Sequence, residues 1–461
     1  MSLANIAYAT SGQADAPHPL HIVTREGFAA WRDAQPAPVQ AWLAAQRFDG
    51  SAGTAMAWAD ARGDVAGAAI GIGDALDPYS YAHAPLALPR GDWRVAAPLD
   101  ADARCALQLG WGLGCYRFDR YKACTRTPAR LAVDALDAET LDVLDACATV
   151  RDLVNTPTEH MGPDELEAAA RELAAAHGAS IAVVAGDELL AQNYPAIHAV
   201  GRASHRAPRI IELAWGDAAH PHVAICGKGV CFDTGGLDIK TAVGMRNMKK
   251  DMGGAAHALA LAGLAMARKL PLRITLLVAA VENSIGPNAF RPGEVIATRK
   301  GVSVEIDNTD AEGRIVLCDA LARAGELKPD LLLDFATLTG AARIALGPDL
   351  PALYASDEAL ANDWLAAGSR TRDPLWRMPL WRPYLRYLTS GIADIANGSA
   401  STMAGSITAA LFLERFVADT QAWGHVDVYA WNDSDRAGKP TGGEAQGLRA
   451  TYAMLKARAA G

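Results

Sequence analysis

Residues Asn308 to Arg314 read NTDAEGR, placing two carboxylates, Asp310 and Glu312, two positions apart with Arg314 two further on. In an extended turn that spacing aims both carboxylates at one point. Crowded oxygen ligands repel unless a cation neutralises them, so the cluster suggests a divalent metal site with a cationic companion. A solvated helix start has the same composition, and this segment alone does not separate the two readings.

A second segment, residues 227–256, reads GKGVCFDTGGLDIKTAVGMRNMKKDMGGAA. The apolar run Val223, Ala224, Ile225, Cys226 predicts a buried strand whose end is marked by Gly227 and Gly229 around Lys228. Val230, Cys231 and Phe232 lead on to Asp233 and a Gly235–Gly236 turn. Asp233 would leave the C-terminal edge of a strand, where open α/β sheets place ligands. Lys240 and Asp251 follow in a loop containing glycine and methionine, and a helix is expected from about Gly253 to Lys269. Asp251 stands just before it, where a carboxylate either caps the helix or binds a metal.

Asp233, Asp251, Asp310 and Glu312 thus face three cations, Lys228, Lys240 and Arg314. Two divalent ions would balance the four carboxylates. Lys228 could then donate a neutral amine, its pKa depressed by the dications. The other readings make Lys228 a surface lysine or a phosphate contact, although no GxxxxGK[ST] phosphate loop occurs.

These segments, together with DFATLTGA at residues 334–341, resemble the leucyl aminopeptidase family, the cytosolic M17 metallopeptidases. The resemblance runs from about Val150 to the C-terminus. It implies that Lys228, Asp233, Asp251 and Glu312 hold the tighter metal, and that Asp233, Asp310 and Glu312 hold the looser one. Two metals about 3.5–4 Å apart share a water, lower its pKa and aim it at a carbonyl carbon. Lys240 and Arg314 match the two catalytic cations: Lys240 would stabilise the developing oxyanion, and Arg314 would bind a bicarbonate ion that serves as general base. Helix-start amides just after Glu312 would assist. No protein base stands out among the eleven histidines, and His257 inside the expected helix reads as a packed side chain.

The resemblance also implies a substrate. The free amine of a short peptide would bind one metal and lean on Asp251. Met248, Asn308, Thr337 and Gly340 match substrate-binding positions. Met248 suits a pliable apolar pocket and Gly340 leaves room, so a Leu- or Met-like first residue is expected; Met248 and Thr337 could equally be ordinary packing. Residues 424–433 read GHVDVYAWND where many relatives read HLDIAGTAW, near family pocket-wall positions, so the resemblance does not fix pocket size and selectivity. Manganese or zinc, or cobalt or magnesium, would suit the ligands. A homohexamer, built as a dimer of trimers with an inner cavity, is the implied assembly.

Composition agrees with an enzyme of this kind. The 461 residues, 51% of them apolar, suffice for two cores. A net charge of −9 disfavours general binding to nucleic acid or to anionic membranes. The start, MSLANIAYATSGQAD, has neither a basic region nor a long apolar core, so no signal peptide is expected. No run approaches the ~20 apolar residues of a spanning helix. Seven dispersed cysteines without a C-x-x-C pair suggest reduced, buried thiols at Cys226, Cys231 and Cys318 and a cytoplasmic location.

The organisation expected is α/β throughout. Residues 1–136 would form a small macro-like domain with short strands (LHIV, AAIGIG, WRVAAPL) and a helix from Ala101 to Gly114. The Gly-rich stretch 67–73 reads as a strand and turn, since the Rossmann fingerprint is missing. A linking helix fills 137–157, stopped by Asn155, Thr156 and Pro157. Residues 158–461 alternate strand and helix, which predicts a mixed, mostly parallel sheet covered on both faces. Expected helices include Gly162–His177, Glu312–Glu326, Ile407–Ala418 and Glu444–Arg458.

Three functions compete. The first is a dinuclear metal aminopeptidase. The second is a two-metal phosphoester hydrolase, because bridged metals and Lys/Arg clamps serve that chemistry too. The third is a DNA-binding regulatory role, to which the lack of a basic cluster gives little support.

Overall fold

The computed structural model describes residues 3–10, 16–419 and 421–460. Met1, Ser2 and residues 11–15 of the N-terminal stretch therefore lie outside the described residues. Two compact units account for the chain, Met1–Ala148 with Ser434–Thr441, and Thr149–Asp433 with Gly442–Gly461. The division falls inside the helix Ala138–Asn155.

The first unit is built on a six-stranded sheet. Its strands Tyr8–Thr10, Arg130–Val133, Asp92–Val95, His18–Thr24 and Val65–Ile72 run parallel in that order, and Ala55–Ala59 pairs antiparallel at the edge. The Gly-rich stretch forms the buried strand Val65–Ile72. The expected helix spans Ala101–Cys115, its start capped by the Asp100 side chain, which accepts from Ala103 N.

An eight-stranded sheet organises the second unit. In chain order its strands are β1 (Ser180–Ala185), β2 (Arg209–Trp215), β3 (His222–Asp233), β4 (Arg273–Asn283), β5 (Leu331–Ala336), β6 (Ala352–Ala355), β7 (Trp376–Arg377) and β8 (Trp423–Asp427). Their spatial order is β7-β6-β8-β5-β3-β4-β2-β1. The central four run parallel, while β6 against β8, and β2 and β1 on the far side, pair antiparallel. Parallel strands covered on both faces read as continuous apolar runs, which describes β3, β4 and β5.

The strand expected to end at Cys226 instead continues to Asp233, with a register irregularity against β4 at Val281/Glu282. Gly227, Lys228 and Gly229 sit opposite Val278, Ala279 and Ala280 of β4, within the ladder. The glycines serve close approach. A Cβ on Gly227 would come within 2.6 Å of Ala255 Cα, and one on Gly229 within 2.7 Å of Ala279 O.

Alternation along β3 assigns its two faces. Gly227 meets the helix α1 (Gly253–Ala267), whereas its neighbour Lys228 meets Gly313 in the helix α2 (Glu312–Glu326). Successive strand residues point to opposite sides, so α1 and α2 cover opposite faces of the sheet. Ala224, Cys226 and Val230 share a core with Val316, Leu317 and Leu321 of α2. α1 is apolar around nearly its whole circumference and is buried accordingly.

Two helices start later or earlier than expected. The helix placed at Ile407–Ala418 spans Gly405–Glu414, and that placed at Glu444–Arg458 spans Leu448–Ala459. Gly447 has φ +70 immediately before the latter, and Glu444 is drawn into a buried pair with Arg151, 3.0 Å away. The helix Glu358–Thr371 and the strands β6 and β8 were not expected from the sequence.

The closeness of α1 to the sheet yields a test. A Cβ at Gly254 would lie 2.2 Å from Phe335 O and 2.8 Å from Ala336 Cα. Backbone cannot step aside cheaply, so Gly254→Ala is expected to destabilise the protein by about 1–3 kcal/mol, read as a lowered urea midpoint at unchanged m-value.

Candidate metal centre

Asp233 ends β3, and the chain then turns through Gly235 (φ +88) and Gly236 (φ +65), a conformation that glycine reaches without strain. Gly235 N donates to Asp233 Oδ1 at 2.8 Å. Asn283, at the end of β4, donates through Nδ2 to Asp233 Oδ1 at 2.8 Å and to Thr309 O at 3.0 Å. Thr309 Oγ1 in turn donates to Gly235 O at 2.6 Å. These bonds fasten the 308–310 turn to the strand ends. Asp310 lies in that turn and Glu312 opens α2, so carboxylate oxygens of Asp233, Asp310 and Glu312 lie within 4.8 Å of one another.

Lys228 and Asp251 complete the group. Lys228 Nζ is 2.8 Å from Asp251 Oδ2 and 2.9 Å from Glu312 Oε1, and it donates to Thr337 O at 2.8 Å. Gly313 makes this possible, since a Cβ there would sit 2.6 Å from Lys228 Nζ. Asp251 lies in the short turn Met248–Met252, and no side chain caps α1. Its carboxylate faces Lys228 and accepts from Thr337 Oγ1 at 2.8 Å. Of the two roles open to Asp251, helix capping is not the one it takes. Lys240 Nζ stands 2.7 Å from Asp233 Oδ2 and also pairs with Asp310.

The charges do not balance. Burial and the neighbouring Asp233 carboxylate push both Asp310 and Glu312 upward. Burial alone would lower Lys228 and Lys240, but the surrounding carboxylates outweigh it and hold both above the ordinary lysine range. An amine ligand at Lys228 needs the opposite shift, which only dications among these carboxylates supply. Two lysines against four carboxylates leave negative charge over, and an oxygen-rich, buried donor set with surplus negative charge fits divalent ions.

Arg314 stands one turn along α2. Its Nη1 donates to Asn397 O at 2.6 Å and its guanidinium lies 6.0 Å from the Phe412 ring. Among the described residues its Nε is buried without a hydrogen-bond partner, and burial pulls the group down to about 10. The start of α2 carries no side-chain cap. A buried, unsatisfied guanidinium N–H next to uncapped helix amides fits a small oxyanion.

A cavity of about 630 Å³ opens over the cluster, lined by Lys228, Asp233, Lys240, Asp251, Asp310 and Glu312. Met248, Thr337 and Gly340 line it as well, and nothing lies within 4 Å of a Cβ built on Gly340. Asn308 and Arg314 are not among its lining residues. Asn308 Oδ1 accepts from Asp310 N at 2.7 Å, so it shapes the turn. His257 is a packed side chain, donating from Nδ1 to Gly253 O at 2.6 Å while Nε2 accepts from Gln446 N at 3.0 Å. Cys226, Cys231 and Cys318 are buried thiols pushed upward by burial.

Sequence reasoning missed several participants. Asn397 accepts through Oδ1 from Asp307 N and Asn308 N at 2.8 and 3.1 Å, tying a distant loop to the metal turn. Asp427, ending β8, accepts from Leu338 N at 2.9 Å and Thr339 Oγ1 at 2.6 Å. Lys250, Arg343 and Tyr429 also line the cavity. Only Lys250 carried a signal, as the second lysine of the KKDM run.

Residues 148–452 match the cytosol aminopeptidase family, catalytic domain, and residues 18–134 match the M17 aminopeptidase N-terminal domain. A protein of Roseiflexus castenholzii described as a probable cytosol aminopeptidase is 39% identical over 371 residues, 76% of each chain. The crystal structure of cytosol aminopeptidase from Coxiella burnetii superposes with TM-score 0.94 at 44% identity, covering 98% of this chain and 99% of that one. The bottromycin maturation enzyme BotP in complex with Mn superposes with TM-score 0.87 at 33% identity, covering 96% and 100%. Among the described residues no helix is long and apolar enough to cross a membrane. With its catalytic-domain match spanning well over half its length and its carboxylate–lysine cluster intact, the chain belongs to the M17 cytosol aminopeptidase family of metal-dependent aminopeptidases.

Proposed function

We propose that the chain removes apolar, Leu- or Met-like N-terminal residues from short peptides with two divalent ions per subunit. Lys228, Asp233, Asp251 and Glu312 would hold one ion, and Asp233, Asp310 and Glu312 the other. The observation that carries this reading is the convergence of Asp233, Asp310 and Glu312 within 4.8 Å, with Lys228 bonded to both Asp251 and Glu312. Divalent ions there, manganese or zinc first and cobalt or magnesium after them, supply Lewis acidity and a water of lowered pKa.

The chain's own residues do the rest. Asp251, held by Thr337 Oγ1, takes the free amine of the peptide and so restricts cleavage to N-termini. Lys240, paired with Asp233 and Asp310, faces the carbonyl oxygen on which negative charge develops. Met248 and Gly340 shape the space for the first side chain. Arg314, with its buried free Nε, is suited to hold a bicarbonate ion, whose chemistry is that of a general base.

The test is metal removal and reloading. Chelation is expected to abolish hydrolysis of leucine-p-nitroanilide, and reloading to restore it at two ions per chain. One ion or none at full activity would end the dinuclear reading, and turnover of p-nitrophenyl phosphate instead would favour phosphoester hydrolysis. Arg314→Ala is expected to lower kcat by about 10²-fold or more, the scale of a general-base contribution, with metal content still near two. Loss of both metals in that variant would make Arg314 structural.

The assembly we expect is a homohexamer of cytoplasmic location. Exposed apolar side chains, Ile239, Ile344 and the cavity-lining Val243, support burial against other subunits or substrate. Sedimentation showing only fully active monomers at micromolar concentration would remove the inner-cavity argument for short substrates.

A further inference from the structure

Lys249 and Lys250 are adjacent in sequence and differently used. Lys249 Nζ donates to Asn155 O at 2.6 Å and lies 5.7 Å from the Trp431 ring centroid. Lys250 is only 6% exposed, yet among the described residues its ammonium makes no hydrogen bond and no ion pair. It stands 5.0 Å from the centroid of the Tyr429 ring. The Arg343 guanidinium, 4.8 Å from the same ring, likewise has no ion-pair partner among the described residues. Both cations line the cavity over the metal cluster.

The nearby carboxylates are committed elsewhere. Asp251 faces Lys228 and Thr337, Asp427 accepts from Leu338, Thr339 N and Thr339 Oγ1, and Asp433 accepts from the Tyr429 hydroxyl at 2.9 Å. The Lys250 side chain is mostly buried while lining the cavity, and the ring face offsets only part of what burial costs a cation. The mostly buried Lys250 and the exposed Arg343, on one ring at the wall of the cavity, together offer positive charge to an anion.

We propose that Lys250 and Arg343, sharing the Tyr429 ring, form a subsite that binds a substrate carboxylate beside the metal cluster. The proposal rests on the aminopeptidase reading above and names its preferred substrates. The carboxylate comes either from the side chain of an N-terminal Glu or Asp, its stem lying along Met248, or from the C-terminus of a dipeptide.

Metal-loaded enzyme tests both sources. The side-chain arm compares kcat/KM for Glu- and Gln-p-nitroanilide, with Leu-p-nitroanilide as reference. The C-terminal arm compares Leu-Gly with Leu-Gly-amide. One of the two ratios is expected to reach about tenfold, the equivalent of ~1.4 kcal/mol, and that arm identifies the source. Lys250→Met and Arg343→Gln are each expected to bring that ratio towards one. Arg343 is exposed, so its variant keeps the test open if Lys250→Met does not fold. Both ratios near one with Leu-p-nitroanilide still cleaved would overturn the subsite and leave the aminopeptidase standing. A high ratio indifferent to both variants would overturn it too. Failure to cleave any aminoacyl substrate would sink the underlying reading as well.

Discussion

Lys240→Ala is expected to lower kcat by about 10²–10³-fold, the loss typical of removing one preorganised donor from a developing oxyanion. The side chain reaches the cluster from the turn after β3 and sits 2.7 Å from Asp233 Oδ2. Burial would drain its charge, but Asp233, Glu312 and Asp310 hold its pKa above the ordinary lysine range. KM is expected to move far less than kcat, because the charge it answers appears only as the carbonyl is attacked. Steady-state kinetics joined to metal analysis decides the matter. Two ions with a small kcat loss would deny it an oxyanion role, and loss of both ions would make it a charge balancer.

The second large effect concerns stability. Asp334 of β5 and His425 of β8 face each other in the centre of the sheet, Nδ1 to Oδ1 at 2.5 Å, and both are fully buried. Trp423 Nε1 donates to the other Asp334 oxygen at 2.7 Å, and Tyr354 stacks on the imidazole with centroids 5.8 Å apart. His425→Ala leaves a buried carboxylate without its charge partner, and the expected cost is about 3–5 kcal/mol. The strands carrying this pair lead directly to Thr337 and Asp427, so activity should fail at lower urea than in the parent.

This pair also fixes a pH dependence. Burial lowers the His425 pKa, but Asp334 more than offsets it and the net shift is upward. A group whose folded pKa exceeds its unfolded value, about 6.5 for histidine, stabilises fully below that value. The contribution is lost as pH rises through the raised folded pKa. The stability advantage of the parent over His425→Ala should therefore shrink from pH 6 towards alkaline pH. A gap that widens instead would mean the pair is not held as imidazolium and carboxylate.

Much of the centre was legible because its chemistry is written locally. Asp310 and Glu312 share one turn, and Lys228 and Asp233 share one strand, so their association needs only that turn and that strand to meet. The helix expected over Glu312–Glu326 forms over the same residues. The misreading at Gly227 had a physical cause. Glycine signals a turn when nothing else is known, but here it lets α1 approach β3 within a distance no side chain permits. Strand β8 escaped notice because its residues, WGHVD, carry a histidine and an aspartate that only a buried partner on β5 makes tolerable.

The amino-acid order by itself determined which residues could ligate metal and which family of chemistry they serve, since ligand identity and short-range spacing are properties of the chain. Tertiary structure decided which cations are left without partners. Lys249 and Lys250 are indistinguishable as neighbours in sequence, and only the fold gives one a carbonyl at 2.6 Å and the other an aromatic face in an open cavity. Burial and partnering depend on residues far apart along the chain, and a polar group's cost is set by what surrounds it rather than by its place in the sequence.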